Sequence, residues 1–168
     1  ADPSGKAAPP DPAQVGRHAA MKMVLPGARP VIAPDPSLNR WHSAAVGQAL
    51  WLSVNDPTAT KHESLSFMGQ AVSLTARRNG LSFNMGDGHT VHCDATTPWS
   101  PSVEPGSPSP TCGYTYQQAA PEGGYQVTAI TSWDVTWSVL GHTGTVHIEK
   151  AGGQMLPVGE LESVVTRR

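Results

Sequence analysis

A chain of 168 residues is long enough for one ordinary domain with a tail and too short for two comfortable ones. Charged residues make up only 14% of it, while 17 Gly and 16 Pro enrich it in turn formers, a balance that suits extracellular all-β proteins better than cytosolic helical ones. A formal charge of -2 and a pI near 6.4, with no Lys/Arg block, exclude the basic field that nucleic-acid binding requires, and no stretch approaches the ~18 consecutive apolar residues of a membrane span.

The opening ADPSGK is polar and abrupt, which fits a mature chain after signal removal and equally a short added leader. Residues 1–15 hold Pro, Ala and Asp with almost no large apolar side chain, and are expected to form a disordered arm. Residues 16–44 carry Met21, Met23, Val24, Leu25, Val31 and Ile32, but Pro26, Pro30, Pro34 and Pro36 interrupt any continuous helix or central strand. This segment is predicted to run extended along the core, with a short helix at 15–23 as an alternative.

From about residue 45 to 168 the apolar period is two, the mark of half-buried strands. ALWLSV (49–54) ends at Asn55-Asp56-Pro57; SLSF (64–67) ends near Gly69; AVSLTA (71–76) alternates Val72, Leu74 and Ala76 with polar partners. Asn79-Gly80 is the strongest two-residue hairpin signal in the chain, and predicts a turn into LSFNM, with Leu81, Phe83 and Met85 on one face. After Gly86-Asp87-Gly88, HTVHC (89–93) runs back with Val91 and Cys93 inward. Residues 94–111 hold five prolines and form a long loop. In YQVTAITSWDVTWSVL, Tyr125, Val127, Ala129, Thr131, Trp133, Val135, Trp137 and Val139 share one face, which predicts one long strand with Trp133 and Trp137 in the core. HTGTVHIE (142–149) and MLPVGELESVV (155–165) are read as the last two strands. About seven or eight short antiparallel strands predict an all-β sandwich.

Cys93 and Cys112 flank the Pro-rich loop without any CxxC or Cys/His ligand spacing, so one disulfide is the natural reading and two buried thiols the alternative. Seven histidines offer His89 and His92 as the closest pair, but three positions apart on a strand means opposite faces, and surface imidazoles are the plainer reading. Asp87, Asp94 and Glu104 would hold calcium only weakly, and a turn already accounts for Asp87. No GxSxG is present, and Asp134 and Glu149 on neighbouring strands read as solvated carboxylates. No catalytic, cofactor or metal-ligating set is therefore assigned. Trp41 and Trp99 lie among Pro, Ser and Asn in loops, where they can stack on a sugar ring, anchor a partner or lid an apolar edge.

Phe83-Asn84-Met85-Gly86-Asp87-Gly88, Tyr114-Thr115-Tyr116 and Gly124-Tyr125-Gln126-Val127, in that order, resemble the pattern of the PKD (polycystic kidney disease) domain. The resemblance departs at Phe83, Asn84 and Tyr114, where that pattern has Trp, Asp and His. It implies an immunoglobulin-like sandwich of the cell exterior used for protein or carbohydrate contact or as a spacer, with Gly86, Asp87, Gly88, Tyr114, Tyr116, Tyr125, Trp133 and Trp137 in structural roles. LWLSV, MGDG, CGYTY, WDVTW and VGELE together resemble a group of small secreted actinobacterial proteins often labelled "ATP/GTP-binding protein". The residues do not support nucleotide binding: no GxxxxGK[ST] is present, and Gly5-Lys6 is followed by Ala. The expected function is a secreted or cell-envelope, non-catalytic binding or structural module with a protein or glycan partner and no cofactor; the alternative is a small secreted hydrolase or metal-binding enzyme.

Overall fold

The computed structural model describes residues 10–160. Among them lie one α-helix, α1 (Pro12–Lys22), a short 3-10 helix at Pro36–Leu38, and ten strands: β1 (Pro30–Ala33), β2 (Ala44–Ala45), β3 (Leu50–Val54), β4 (Thr60–Phe67), β5 (Gln70–Asn84), β6 (Thr90–Cys93), β7 (Gly113–Tyr114), β8 (Tyr125–Val139), β9 (His142–Leu156) and β10 (Val158–Gly159). The large sheet has the order β4-β5-β8-β9, with β6 also paired to β5; a smaller antiparallel sheet has the order β1-β3-β7, and β2 pairs parallel with β10. The described residues are all-β apart from α1 and the short 3-10 helix.

Its contacts divide it into two units, residues 1–25, 58–78 and 132–149 in one, and 26–57, 79–131 and 150–168 in the other. β5, β8 and β9 each give one part to each unit.

In the first unit α1 covers one face of its sheet. Asp11 caps the helix through its side chain, which accepts from the Ala13 amide at 3.1 Å, and Pro12 stands in the first turn, where a missing N–H costs nothing. Val15, Ala19, Ala20 and Met23 share one core with Val72, Leu74 and Ala76 of β5 and Trp133, Val135, Trp137 and Val139 of β8. Ordered structure thus begins inside the stretch expected to be an arm; residues 1–9 lie outside the described residues. The small side chains of α1 let its backbone approach the sheet closely, and burial of Val15 and its neighbours stabilises a segment that composition alone reads as unstructured.

In the second unit the β1-β3-β7 sheet and that unit's share of the large sheet bury one core between them, the arrangement of a sandwich. Ile32, Leu50, Leu52 and Val54 meet Leu81, Phe83, Met85, Tyr125, Val127 and Ala129 there. β1, placed by sequence in an extended surface segment, pairs with β3 from Pro30↔Val54 to Ala33↔Trp51. It stays at the sheet edge, as its prolines demand. The Cys93–Cys112 disulfide, with Cα atoms 5.6 Å apart, belongs to this core.

Three expectations are corrected. Asn79-Gly80 makes no hairpin, because β5 runs unbroken through it from Gln70 to Asn84. The tight hairpin tips lie instead at Met68-Gly69 and Leu140-Gly141, where all four residues have positive φ. The strands expected at 142–149 and 155–165 are one long β9 to Leu156, followed across Pro157 by β10; residues beyond 160 lie outside the described residues.

Candidate functional site

The second unit carries a series of surface depressions built from its loops. One of about 490 Å³ is lined by Trp41, His42, Ser43, the segment 119–124 and the segment 157–160. These pieces are held together by the β2–β10 pairing, by Ala44 N donating to Pro157 O at 2.9 Å and by Ala120 N donating to Val158 O at 2.8 Å. Trp41 and Ser43 also line a second depression of about 470 Å³ with Asn39, Val46 and Gln48. Gln48 in turn lines a third, of about 300 Å³, with Trp51, Trp99, Pro34, Pro101 and Glu104. Ala49 joins that one to a fourth beside β7, and Tyr114 and Thr115 join the fourth to a fifth, of about 350 Å³, with Asp87, His89, Gln117 and Gln118. Volumes of this size lie at the low end of ligand sites.

Local hydrogen bonds fix these loops. The Asn39 side chain accepts from the Trp41 amide at 3.0 Å and donates to Ser43 O at 2.9 Å, while Gln48 Oε1 accepts from the Ala45 amide at 3.0 Å. Both are side chains folding back on their own turn, and the Asn39 bonds fix the backbone that carries Trp41. Arg40 lies over the Trp41 ring, 5.1 Å from its centroid, and the buried Trp41 Nε1 has no hydrogen-bond partner among the described residues. Trp51 differs: its Nε1 donates to Ser107 O at 2.8 Å, which ties the Pro-rich loop to β3. Trp99 stands half-buried on that loop, in the same depression as Trp51.

The Gly86-Asp87-Gly88 turn places Asp87 between two partners. Gly86 has φ 80°, and a Cβ there would come within 2.6 Å of Gln126 O, so no other residue fits without a shift. Tyr114 donates a short hydrogen bond to Asp87, whose carboxylate also accepts from the His89 amide at 3.1 Å and meets His89 Nδ1 at 3.4 Å. Burial alone would raise the Asp87 pKa, but the bonds from Tyr114 and His89 outweigh it and hold the carboxyl below its ordinary value. Burial first, then the hydrogen bond to Asp87, pushes Tyr114 well above the ordinary phenol value. Tyr114 packs edge-on against Tyr116, which stacks at 4.5 Å on Tyr125, so the chain's three tyrosines form one cluster. Tyr116 Oη donates to Met85 O at 2.7 Å and Tyr125 Oη to Gln118 O at 2.8 Å, each anchoring a loop.

A carboxyl with a depressed folded-state pKa adds stability above its unfolded value of about 3.9, and that stability is lost as pH falls through the lower folded value. Tyr114→Phe is therefore expected to raise the Asp87 pKa and to flatten the fall of stability below about pH 4. An Asp87 titration by NMR that does not move in the variant would show that the phenol contributes nothing to the carboxylate.

Trp133 and Trp137 do not join these depressions: they are 1% and 5% exposed and belong to the core of the first unit. Asp134 meets His147 Nδ1 at 2.6 Å on the sheet, while Glu149 does not share that contact. No group of three His, Cys, Asp or Glu placed to hold a metal occurs among the described residues, and no helix there is long and apolar enough to cross a membrane. Sequence reasoning missed Gln48, Gln117, Gln118 and the grouping of His89 with Tyr114. Only the GDG and YTY segments gave any signal for them. Comparison of the chain with family models, with curated proteins and with solved structures gives no match.

Proposed function

We propose that this chain is an exported, non-catalytic binding module, a PKD-like sandwich of the cell exterior that engages an extended protein or glycan partner through the depressions of its second unit. The observation that carries this reading is the linkage of Trp41, Trp51 and Trp99 through shared lining residues, with Gln48 common to the Trp41 and Trp99 depressions. The half-buried indoles of Trp41 and Trp99, on loops, offer large contact area at small entropic cost on binding, beside the buried Trp51 of β3. The disulfide supports an oxidising compartment. The hydroxyls of Tyr116 and Tyr125 each bond a loop carbonyl, which supports the structural roles that the PKD resemblance implies for them.

A hydrolase reading draws first on the Asp87–His89 pair, an ion pair that opens into a depression. Tyr114 occupies the other carboxylate oxygen, so the turn already accounts for Asp87. Sedimentation with insoluble envelope material of the producing cell tests the reading: the chain is expected to pellet, and Trp99→Ala with Trp41→Ala to leave most of it in the supernatant. Pelleting that ignores both substitutions, or none at all, would defeat it.

A further inference from the structure

We infer that the partner is a polysaccharide chain, uncharged or amino-bearing, laid along the linked depressions of the second unit; the inference rests on the binding-module reading. Three observations carry it. First, three of the five depressions repeat one composition: Trp41 with Asn39, Ser43 and Gln48; Trp99 and Trp51 with Gln48 and Ser107; Tyr114 with Thr115, Gln117 and Gln118. Each joins a flat aromatic ring to uncharged amides and hydroxyls. A pyranose needs that pair of surfaces, because its axial C–H face is apolar and its rim carries hydroxyls that donate and accept. A polymer that offers the same group at every step matches a site that repeats, whereas a peptide presents a different side chain at each step.

Second, charge selects among glycans. No lysine or arginine lines these depressions, while Glu122 and Glu160, Glu104, and Asp87 line three of them. An anionic sugar chain would meet carboxylates with no lysine or arginine among the lining residues, which disfavours it; an uncharged chain is accepted and an amine is attracted. Arg40, whose guanidinium lies 5.1 Å from the Trp41 ring centroid, does not itself line a depression. Third, the buried Trp41 Nε1 has no partner among the described residues, although Trp41 borders two depressions. A buried donor without an acceptor is costly, and a sugar hydroxyl that the indole turned to meet would supply one.

The test is titration of tryptophan fluorescence with cellohexaose, with the hexamer of β-linked glucosamine, with the matching trimers, with polygalacturonate and with a proline decamer. Saturable change with at least one hexamer, at least tenfold weaker with its trimer and at least tenfold weaker in both Trp99→Ala and Trp41→Ala, is the expected result. Circular dichroism of the two variants shows that each is folded. No binding of either hexamer overturns the inference, as does polygalacturonate bound as tightly as the better hexamer, or hexamer binding indifferent to both substitutions. If the decamer alone binds, and does so through Trp99, the glycan assignment falls and the binding module stands. If a hexamer binds as expected and is cleaved, the non-catalytic reading falls and the glycan assignment stands.

Discussion

Replacing Trp137 with alanine is expected to lower the unfolding free energy by about 3–5 kcal/mol, the range for truncating a buried tryptophan. Trp137 is 5% exposed and lies in the core of the first unit with Trp133, Val135 and Val139 of the same strand. Its indole sits between two glycines: a Cβ at Gly16 of α1 would lie 2.2 Å from Trp137 Cδ2, and one at Gly144 of β9 2.4 Å from Trp137 Cζ2. Neither glycine has a side chain that can swing into the space the indole leaves, so the cavity stays open and the cost falls toward the upper end. The same geometry reverses an ordinary rule. Gly to Ala inside a helix usually gains up to about 1 kcal/mol, but at Gly16 the added methyl must displace either the indole or the helix. Urea unfolding of Trp137→Ala checks the expectation through a lower midpoint at unchanged slope. A loss below about 1 kcal/mol would show that α1 is not docked on this ring.

The strand carrying Trp137 was legible from sequence because all its odd-numbered residues from Tyr125 to Val139 are buried, so a single period runs its whole length. The failure at Asn79-Gly80 has an equally local cause. β5 pairs with β4 as far as Arg77↔Thr60 and with β6 from Leu81↔Cys93 onward, so the dipeptide falls where the neighbour on that edge changes. A turn former is tolerated in a strand at such a gap, and dipeptide statistics cannot see the pairing on either side. α1 was half legible. Val15, Ala19, Ala20 and Met23 keep a helical spacing, but small residues give it a weak apolar signal, and its close approach to Trp137 needs that smallness. In the site, loop tryptophans stand out by composition, whereas Gln48 and Gln117 gain meaning only when distant loops meet around them.

Loss of the Cys93–Cys112 bridge, tested with both residues replaced by alanine, is expected to cost about 3 kcal/mol. The bond closes a segment of 19 residues, and in the chain-entropy model the unfolded chain gains that freedom when the bond is absent. Two features pull on the figure in opposite directions. The five prolines between the cysteines already stiffen the unfolded loop, which lowers the entropic part. Against that, Cys93 and Cys112 are 7% and 2% exposed in the core of the second unit, so alanine also leaves unfilled space. The melting temperature is then expected to fall by about 6–12 °C, measured by calorimetry. The loss should also reach the proposed binding surface. Cys112 O accepts from Leu52 N at 3.0 Å, which sets the end of the loop against β3 where Ser107 O meets Trp51, while Cys112 N donates to Ser109 Oγ at 3.1 Å within the loop. With the bridge gone, Trp99 should become more exposed to acrylamide quenching while Trp133 and Trp137 stay protected below the unfolding transition. A melting temperature unchanged within 2 °C would show that the prolines and the Trp51 bond hold the loop without the disulfide.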